Sequence, residues 1–269
     1  MASPRTAAIT GAGTGIGLQL ALALAARGTE VFLCCRREKD AAAAAKRCSR
    51  SGAMAHGASV DVRDAAAVRS WIALIEKRRP LDLLVVNAGI FAGRSDPGVF
   101  ESPDLIEAVI STNLTGAIHS AAAAAHHMAA RGTGHIVLIS SLAALAPSAD
   151  AQAYSASKAG LSAYGEALRE DMAGRGVTVS VIHPGHVLTR QTEQQSGPIP
   201  LAIEAGDAAR RILRAIDRRA PESSFPFAAS FAVRVMRLLP WRIRARLNAP
   251  GRFTVQNPEP ISRVPPPVL

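Results

Sequence analysis

Cysteine, lysine and long apolar runs are all scarce in this sequence. The three cysteines, Cys34, Cys35 and Cys48, are an odd number, and nothing else is typical of a secreted disulfide scaffold, so we expect free thiols in a reducing compartment. No uncharged apolar stretch of about 18 residues or more occurs, so a membrane-spanning helix is not expected. The chain also lacks a charged start followed by an apolar core, which argues against a secretory signal peptide. We therefore expect a cytoplasmic protein.

Arginine, in contrast, is concentrated near the end of the chain. The formal net charge is +10, and residues 206–269 hold twelve arginines against four acidic residues, a charge of +8 that leaves +2 for the rest. A basic segment on a near-neutral body favours a partner with an acidic surface, or a membrane. Nucleic acid is not expected, because the sequence has no known nucleic-acid module and no basic groove studded with aromatic residues.

Short apolar runs alternate with longer helical segments along most of the 269 residues. Several of the short runs show no polar alternation, which indicates strands buried on both faces of a parallel sheet. The alternation predicts right-handed βαβ units that form one doubly wound α/β sheet of about seven strands, with helices on both faces. The predicted strands are residues 7–10, 30–35, 55–60, 82–87, 135–140, 177–183 and 223–227, and the predicted helices are residues 15–27, 38–50, 64–78, 103–130, 152–174 and 206–219.

The first predicted strand runs directly into a glycine-rich turn, TGAGTGIG at residues 10–17. Gly11, Gly15 and Gly17 would allow a tight turn, a close approach of backbone to a pyrophosphate, and close packing of helix on strand. The N-terminus of the following helix would offer free N–H groups and the positive end of its dipole to the phosphates. Glycines also end strands for steric reasons alone, so the turn by itself is a weak signal.

The residues that end the second predicted strand bear on the choice of dinucleotide. An acidic residue there would bind the ribose 2′-hydroxyl of NAD, whereas an arginine suits the 2′-phosphate of NADP. The sequence reads CCRRE, with Cys35 in the acidic position and Arg36 and Arg37 after it. A planar guanidinium is a good phosphate partner, so NADP(H) is favoured over NAD(H). The competing interpretation is that both arginines only lie on a solvated loop.

Tyr154 and Lys158 stand four residues apart in the segment YSASK. Residues i and i+4 share one face of a helix, so both side chains can point into the same cleft. A free tyrosine has a pKa near about 10, and a neighbouring cation would lower that pKa toward the range used in proton transfer. The competing interpretation is an ordinary helix surface, and the pair alone does not decide between them.

Six motifs stand in the order and spacing of one protein family. They are TGAGTGIG (10–17), VNAG (86–89), TNLTG (112–116), ISS (139–141), YSASK (154–158) and HPGHVLT (183–189). With these motifs the sequence resembles the short-chain dehydrogenase/reductases over roughly residues 6–220, in the manner of a bacterial-type, NADP-preferring member. The resemblance implies a Rossmann fold and an NAD(P)-dependent oxidoreductase that interconverts a carbonyl and a secondary alcohol, and favours an NADPH-dependent carbonyl reductase.

The resemblance also implies roles for four residues. Tyr154 would be the general acid/base that exchanges a proton with the substrate oxygen, and Lys158 its activator and a ligand of the nicotinamide ribose. Ser141 would hold the substrate oxygen, and Asn113 would anchor a water that leads protons to the lysine. With Ser141 and Asn113 in register, the catalytic interpretation of YSASK is favoured over the helix-surface one.

By the same resemblance, a larger set of residues would bind the cofactor. The pair after the third strand would contact the adenine, the turn at residues 87–89 would lie beside the adenine ribose, and residues 184–189 would fix the nicotinamide carboxamide. No histidine or cysteine spacing suits a metal ion, and none is expected. The full set is Gly11, Thr14, Gly15, Ile16, Gly17, Arg36, Arg37, Asp61, Val62, Asn87, Ala88, Gly89, Tyr154, Lys158, Pro184, Gly185, Val187 and Thr189.

Some positions depart from the family pattern or add to it. Val86 stands where an asparagine is common, and Thr14 stands where some NADP-preferring members carry a basic residue, so the cofactor preference rests on the arginine pair. His186 follows a Pro-Gly turn and is interpreted as loop packing, with substrate contact as the alternative. Residues 190–200 occupy the place of a substrate lid, and their short polar sequence indicates no particular substrate.

Residues 227–269 form a basic extension after a predicted catalytic domain at 1–226. Two short helical pieces should meet at Pro240, each with apolar residues flanked by arginines, before a proline-rich and disordered end. The apolar residues suit a membrane interface, which would make the protein membrane-peripheral. Packing on the catalytic domain or across an oligomer interface is the competing interpretation. A homo-oligomer, dimer or tetramer, through predicted helices 103–130 and 152–174 is implied by the resemblance only.

Other functions stay open at this stage. The chain could be a sensor that binds NADP without turnover, although such a protein needs no proton donor. It could be a membrane-peripheral scaffold in which residues 227–269 are the active part, or an epimerase or dehydratase that uses the same site without net cofactor turnover. The expected partner is a small carbonyl or alcohol substrate, and an apolar one fits the extension.

Overall fold

The computed structural model describes residues 3–256, and its centre is a parallel sheet of seven strands. Across this sheet the order is β10-β6-β5-β4-β1-β2-β3, and every neighbouring pair is parallel. The strands of the chain are β1 (Thr6–Thr10), β2 (Glu30–Cys35), β3 (Ala55–Ser59), β4 (Leu83–Val86), β5 (Gly134–Ile139), β6 (Val177–Pro184), β7 (Val187–Leu188), β8 (Gln195–Ser196), β9 (Ile203–Glu204), β10 (Glu222–Phe225) and β11 (Thr254–Val255).

Helices cover both faces of the sheet. Helices α1, α2 and α7 pack on one face, and α3, α5 and α6 pack on the other. The strand order reverses between β1 and β4, which opens a crevice at their carboxyl ends. The predicted doubly wound α/β fold with seven parallel strands is confirmed. The helices are α1 (Gly15–Ala25), α2 (Glu38–Ser49), α3 (Ala65–Arg78), α4 (Pro103–Ile110), α5 (Gly116–Arg131), α6 (Gln152–Ala173), α7 (Ala205–Asp217), α8 (Phe227–Arg237) and α9 (Trp241–Asn248).

The central strands are apolar on both faces because each contributes to two cores. In β5, Val137 and Ile139 belong to the apolar cluster under α1 and α7, while Ile136 and Leu138 belong to the cluster under α3 and α5. All four side chains are buried. A strand in this position gains nothing from polar alternation, which explains the uninterrupted apolar runs in the sequence.

The prediction of a single helix at residues 103–130 is wrong in the middle of that range. Helix α4 ends at Ile110 and α5 begins at Gly116, and a π-turn, Ser111–Thr115, lies between them. The Gly116 N–H donates to the Ser111 carbonyl, five residues back. Asn113 lies in this turn and is fully buried. Such turns are rare and occur mostly as single turns inside α-helices, and the segment STNLT carries no residue type that marks one, so it was not predicted.

The described part of the extension forms two helices and a short strand. Helices α8 and α9 are separated at Pro240 as predicted, and β11 pairs with β8 in antiparallel orientation. The proline-rich end at 257–269 lies outside the described residues, so its predicted disorder stays a prediction, as do the domain boundary after residue 226 and the oligomer. Within residues 3–256, no helix combines the length and the apolar character needed to cross a membrane.

Candidate active site

A cavity of about 1030 Å³ lies at the carboxyl ends of β1, β4, β5 and β6. This volume is at the upper end of the range for small-molecule sites, roughly 300–1,000 Å³. All of the predicted site residues line the cavity except Gly17 and Asn113, whose contacts lie behind its wall. The fold therefore brings together residues from seven separate segments of the chain.

The glycine-rich turn after β1 has little room for a side chain at three of its glycines. Gly11 has φ +65°, and a Cβ there would lie 2.7 Å from the Ala88 Cα. Gly15 has φ +55°, and its Cβ would meet Thr189 at 3.2 Å. A Cβ on Gly17 would lie 2.5 Å from an amide nitrogen of Asn87. The turn thus presents bare backbone and the start of α1 to the cavity, which fits the diphosphate of a dinucleotide.

Asn87 and Thr10 join the ends of two neighbouring strands. The Asn87 side-chain amide donates to the carbonyls of Thr10 and Gly11, both at 3.1 Å. In return, the Thr10 hydroxyl accepts from the backbone N–H groups of Asn87 and Ala88, both at 3.0 Å. These four bonds fix the glycine turn relative to the turn after β4. The role of Thr10 was not predicted, since a threonine at the end of a strand is not distinctive in sequence.

The two arginines after β2 differ in their surroundings. The Arg37 guanidinium is held by Asp40 at 2.5 Å, whereas Arg36 acts on Asp61 only through its charge. Asp61 is bound by Arg63 at 2.6 Å. Burial works to raise the pKa of Asp61, but the hydrogen bonds and charge of Arg63, with a contribution from Arg36, hold it below its usual range. The positive charge of Arg36 is therefore less neutralised by a carboxylate than that of Arg37.

Tyr154, Lys158 and Ser141 meet at the cavity wall. Tyr154 and Lys158 lie one turn apart on α6, and the Lys158 Nζ is 5.9 Å from the centre of the Tyr154 ring. Ser141, two residues past the end of β5, lines the same wall, and its hydroxyl acts to lower the pKa of the Tyr154 phenol. The predicted constellation is therefore assembled in space, with the hydroxyl of Ser141 next to the phenol.

The Lys158 amino group is buried. Its Nζ donates to the Ile139 carbonyl at 2.8 Å, and the residue is 5% exposed. Burial lowers the pKa of Lys158 to about 8. The backbone of Lys158 is held as well, because its carbonyl accepts from the hydroxyls of Ser140 and Ser162, both at 3.0 Å. This section of α6 is therefore fixed against the end of β5.

The prediction that Lys158 lowers the pKa of Tyr154 is wrong for this structure. Burial raises the pKa of Tyr154, and the nearby Ser141 hydroxyl acts in the opposite direction without cancelling the effect. The reason is that desolvation favours the neutral forms of both side chains. Near neutral pH Tyr154 therefore keeps its proton, which is the state a proton donor needs.

Asn113 holds the loop after β4 from behind. Its Oδ1 accepts from the Ile90 N–H at 2.8 Å, and its Nδ2 donates to the Ile90 carbonyl at 2.9 Å. The same Nδ2 donates to the Ser157 hydroxyl at 3.2 Å, on α6. The amide is thus occupied by the protein itself, and Asn113 does not line the cavity, which fits a positioning role. Ile90 and Ser157 were not singled out from the sequence.

An aromatic wall lies beside Tyr154. Phe91 meets the Tyr154 ring edge to face at 5.1 Å, and Phe253 lies 6.1 Å from Phe91 on its other side. The side chain of Gln191 closes the same region. Its Oε1 accepts from the Phe91 N–H at 3.1 Å, and its Nε2 donates to the Gly89 carbonyl at 2.9 Å. None of these three residues belongs to the predicted set.

Residues 252–256 form a strap across this part of the cavity. The Arg252 Nε donates to both carboxylate oxygens of Asp150 at 2.8 Å, and the Phe253 N–H donates to the same carboxylate at 3.2 Å. Val255 is fully buried, and its N–H donates to the Arg94 carbonyl at 2.9 Å. The strap therefore delivers Phe253 to the aromatic wall.

Two further parts of the lining bear on the predictions. His186 lines the cavity, and burial lowers its pKa, while a bond with the Pro200 backbone acts in the opposite direction. Packing and substrate contact therefore both stay open for this histidine. Helix α8 also lines the cavity through Ala229, Ala232 and Val233. A lining role of the extension was not predicted.

The family model described as short chain dehydrogenase matches residues 5–198. The chain belongs to the short-chain dehydrogenase family. It is an oxidoreductase of that family, with the nucleotide-binding Rossmann fold that the resemblance implied.

Similar proteins include both unassigned and named reductases. An uncharacterized oxidoreductase of Myxococcus xanthus is 38% identical over 239 residues, which is 88% of this chain and 94% of that protein. A crystal structure of a variant of actinorhodin polyketide ketoreductase with NADPH has a TM-score of 0.76 at 28% identity, covering 86% of this chain and 98% of that one. A short-chain dehydrogenase/reductase from Burkholderia phymatum in complex with NAD has a TM-score of 0.79 at 25% identity, covering 87% and 93%.

The burial of Lys158 predicts how stability depends on pH. Its pKa falls from 10.5 in the unfolded chain to about 8 in the folded one. Between these values the folded state binds fewer protons, so the free energy of unfolding of the native protein should rise with pH. Lys158→Met removes this dependence. Between pH 8 and pH 10.5 the free energy of unfolding of the native protein should therefore rise by about 3 kcal/mol relative to that of the variant.

Urea unfolding at a series of pH values measures this difference. Loss of the bond to Ile139 adds an offset that does not depend on pH, so the slope is the decisive quantity. Lys77→Met, at an exposed position on α3, is the matched control and should run parallel to the native protein. A parallel course for Lys158→Met would refute the prediction.

The strap predicts a local change on loss of one ion pair. Arg252→Met keeps the length of the side chain but removes both bonds to Asp150, so residues 252–256 should open more often. Hydrogen exchange at the amides of Val255 and Gln256, which donate to the Arg94 and Gln194 carbonyls, should become about tenfold faster or more. Arg242→Met, exposed on α9, is the control. Equal exchange rates in the two variants would contradict the role given to Arg252.

Proposed function

We propose that the protein is an NADPH-dependent carbonyl reductase. The observation that carries this proposal is the grouping of Ser141, Tyr154 and Lys158 at the wall of the cavity that the bare glycine turn also lines. A bound dinucleotide would supply the hydride for the carbonyl carbon. The chain would supply the proton, the position of the substrate and the exclusion of water.

Tyr154 would donate the proton to the carbonyl oxygen. Its raised pKa keeps the phenol protonated, which suits reduction better than alcohol oxidation. Ser141 lines the cavity beside Tyr154 and would donate to the same substrate oxygen, so the developing negative charge would be met by two hydroxyls. Lys158, with a pKa of about 8, could return a proton to the site near neutral pH.

The cofactor would lie along the cavity from the arginines after β2 to α6. Gly11, Thr14, Gly15, Ile16 and Gly17 would form the phosphate turn, with Gly17 acting through close packing. The remaining proposed contacts are Arg36, Arg37, Asp61, Val62, Asn87, Ala88, Gly89, Tyr154, Lys158, Pro184, Gly185, Val187 and Thr189, all of which line the cavity.

NADP(H) is proposed over NAD(H) because no carboxylate occupies the position of Cys35. Asp40 is nearby, but its carboxylate is paired with Arg37. Related structures hold both dinucleotides, NADPH in the ketoreductase and NAD in the Burkholderia protein. The preference therefore rests on the charges of this chain, and chiefly on Arg36.

The substrate is proposed to be an apolar carbonyl compound. Tyr154 faces an aromatic wall of Phe91 and Phe253, and the nearby lining from α8 is made of small apolar residues. Apolar pockets with a few placed polar groups bind ligands by burial and orient them by hydrogen bonds. The likeness to a polyketide ketoreductase agrees with a ketone substrate.

The central test follows NADPH and NADH oxidation with a panel of aldehydes and ketones, from short and polar to long and apolar. We expect turnover with NADPH and the apolar ketones, and loss of about 100-fold or more in kcat for Tyr154→Phe, since general acid catalysis typically contributes 10²–10⁴-fold. Tyr164→Phe, on the same helix and outside the cavity lining, is the control. If the native protein and both variants bind the cofactor but none of them turns over a substrate, a sensor is favoured over an enzyme.

A second prediction concerns Arg36. Arg36→Ala should weaken NADPH binding by about 10- to 100-fold, because a charge-assisted hydrogen bond is worth about 1.5–3 kcal/mol. NADH binding should change little. Fluorescence titration of each reduced cofactor measures both constants, with Arg50→Ala as a control at the far end of α2. Equal loss for the two cofactors would show that Arg36 does not read the 2′-phosphate.

A further inference from the structure

The apolar surface residues of the protein are concentrated on the extension. Among the described residues, seven of the fourteen large hydrophobic side chains that are exposed lie between positions 227 and 247. Leu238 is 84% exposed, Phe227 81% and Trp241 66%. We call the set the α8–α9 face: Phe227, Phe231, Val235 and Leu238 belong to α8 and its C-cap, and Trp241, Ile243 and Leu247 belong to α9, where Trp241 projects about 120–160° from the other two.

On α8 the apolar residues form one stripe. At about 100° per residue, positions 227, 231, 235 and 238 fall within an arc of about 80°. Phe227 and Phe231 stack along it with ring centres 6.2 Å apart. The residues that line the cavity, Ala229, Ala232 and Val233, lie on the opposite side of the helix. One side of α8 is thus used by the cavity, while the other has no covering within the described residues.

The segment that carries this face has charges of one sign. Residues 227–256 contain six arginines and no lysine, aspartate or glutamate. Arg234 is paired with Glu222 at 2.5 Å, and Arg242 lies over the Trp241 ring at 5.5 Å. A second copy of the chain meeting this face symmetrically would bring arginines against arginines, which disfavours a dimer here. A surface of opposite charge is needed.

We propose that the α8–α9 face docks on the surface of an anionic lipid bilayer. A stripe of phenylalanine and leucine with a tryptophan suits the boundary between headgroups and acyl chains, and arginines beside it suit anionic headgroups. The helices would lie in the plane of the interface. Docking does not depend on the proposed reductase activity, and it would place the wall of the cavity next to the bilayer.

Co-sedimentation of the full chain with extruded vesicles tests this docking without substrate or cofactor. Vesicles of phosphatidylcholine alone are compared with vesicles that contain phosphatidylglycerol as about a third of the lipid. We expect binding to the anionic vesicles and a marked loss of binding in high salt. Phe231→Ser with Leu238→Ser should weaken binding by about tenfold or more, as should Arg242→Gln with Arg246→Gln.

Matched controls use exposed residues away from the face. Phe100→Ser with Leu74→Ser removes two apolar side chains that are 83% and 68% exposed, and Arg47→Gln with Arg50→Gln removes two exposed arginines at the C-terminal end of α2. Both should bind like the native protein. Thermal unfolding checks that each variant is folded, and if the apolar pair is not, the arginine pair decides.

Three results would overturn the proposal. The native chain could stay in solution with anionic vesicles. The controls could lose as much binding as the face variants. Alternatively, gel filtration could show a native dimer that Phe231→Ser with Leu238→Ser converts to a monomer, without vesicle binding, so that a second copy covers the face.

Discussion

The candidate site depends on the buried amide of Asn113. This side chain satisfies both backbone groups of Ile90 and reaches Ser157 on α6. Backbone groups buried without partners are costly, so the amide holds the loop after β4, the π-turn and α6 in one arrangement. Tyr154 and Lys158 belong to that helix, and their distance from the β4 loop follows from this contact. An alanine at position 113 would remove the partner of both Ile90 backbone groups, while the Ser157 hydroxyl would keep its bond to the Tyr154 carbonyl.

Desolvation sets the electrostatic character of the site. It keeps the phenol of Tyr154 protonated and weakens the hold of Lys158 on its proton. In water near neutral pH a tyrosine is neutral and a lysine is charged. Burial keeps the tyrosine neutral and makes the neutral form of the lysine easier to reach. In such surroundings a charge that develops on a substrate oxygen is stabilised by nearby hydroxyl dipoles that are already in place.

Local patterns in the sequence predicted most of the fold. The five inner strands were found because strands buried on both faces leave a clear signal, whereas the edge strands β3 and β10 are only partly buried. The bounds agree closely, as in the segment predicted at 30–35 and observed as β2. The glycine turn and the YSASK segment could also be found in the sequence, because each consists of particular residues at a fixed short spacing. Their proposed roles await the measurements.

Contacts between distant segments could not be predicted in this way. Asp150 and Arg252 are 102 positions apart, and nothing in either neighbourhood indicates the other. The same holds for Phe253 beside Phe91. The π-turn around Asn113 was not predicted either, because such turns are rare and no residue type in the segment STNLT marks one. The surroundings of Arg36 and Arg37 also depend on side-chain geometry rather than on spacing.

The position of the strap near the end of the chain affects the order in which parts of the protein can fold during synthesis. Every strand of the central sheet is complete by Phe225, whereas the strap begins at Arg252. A nascent chain could therefore pair its whole sheet while the aromatic wall beside Tyr154 still lacks Phe253. Domains generally fold as units during synthesis. Folding of the sheet and closure of the cavity would then be separate events in time, with closure coming last.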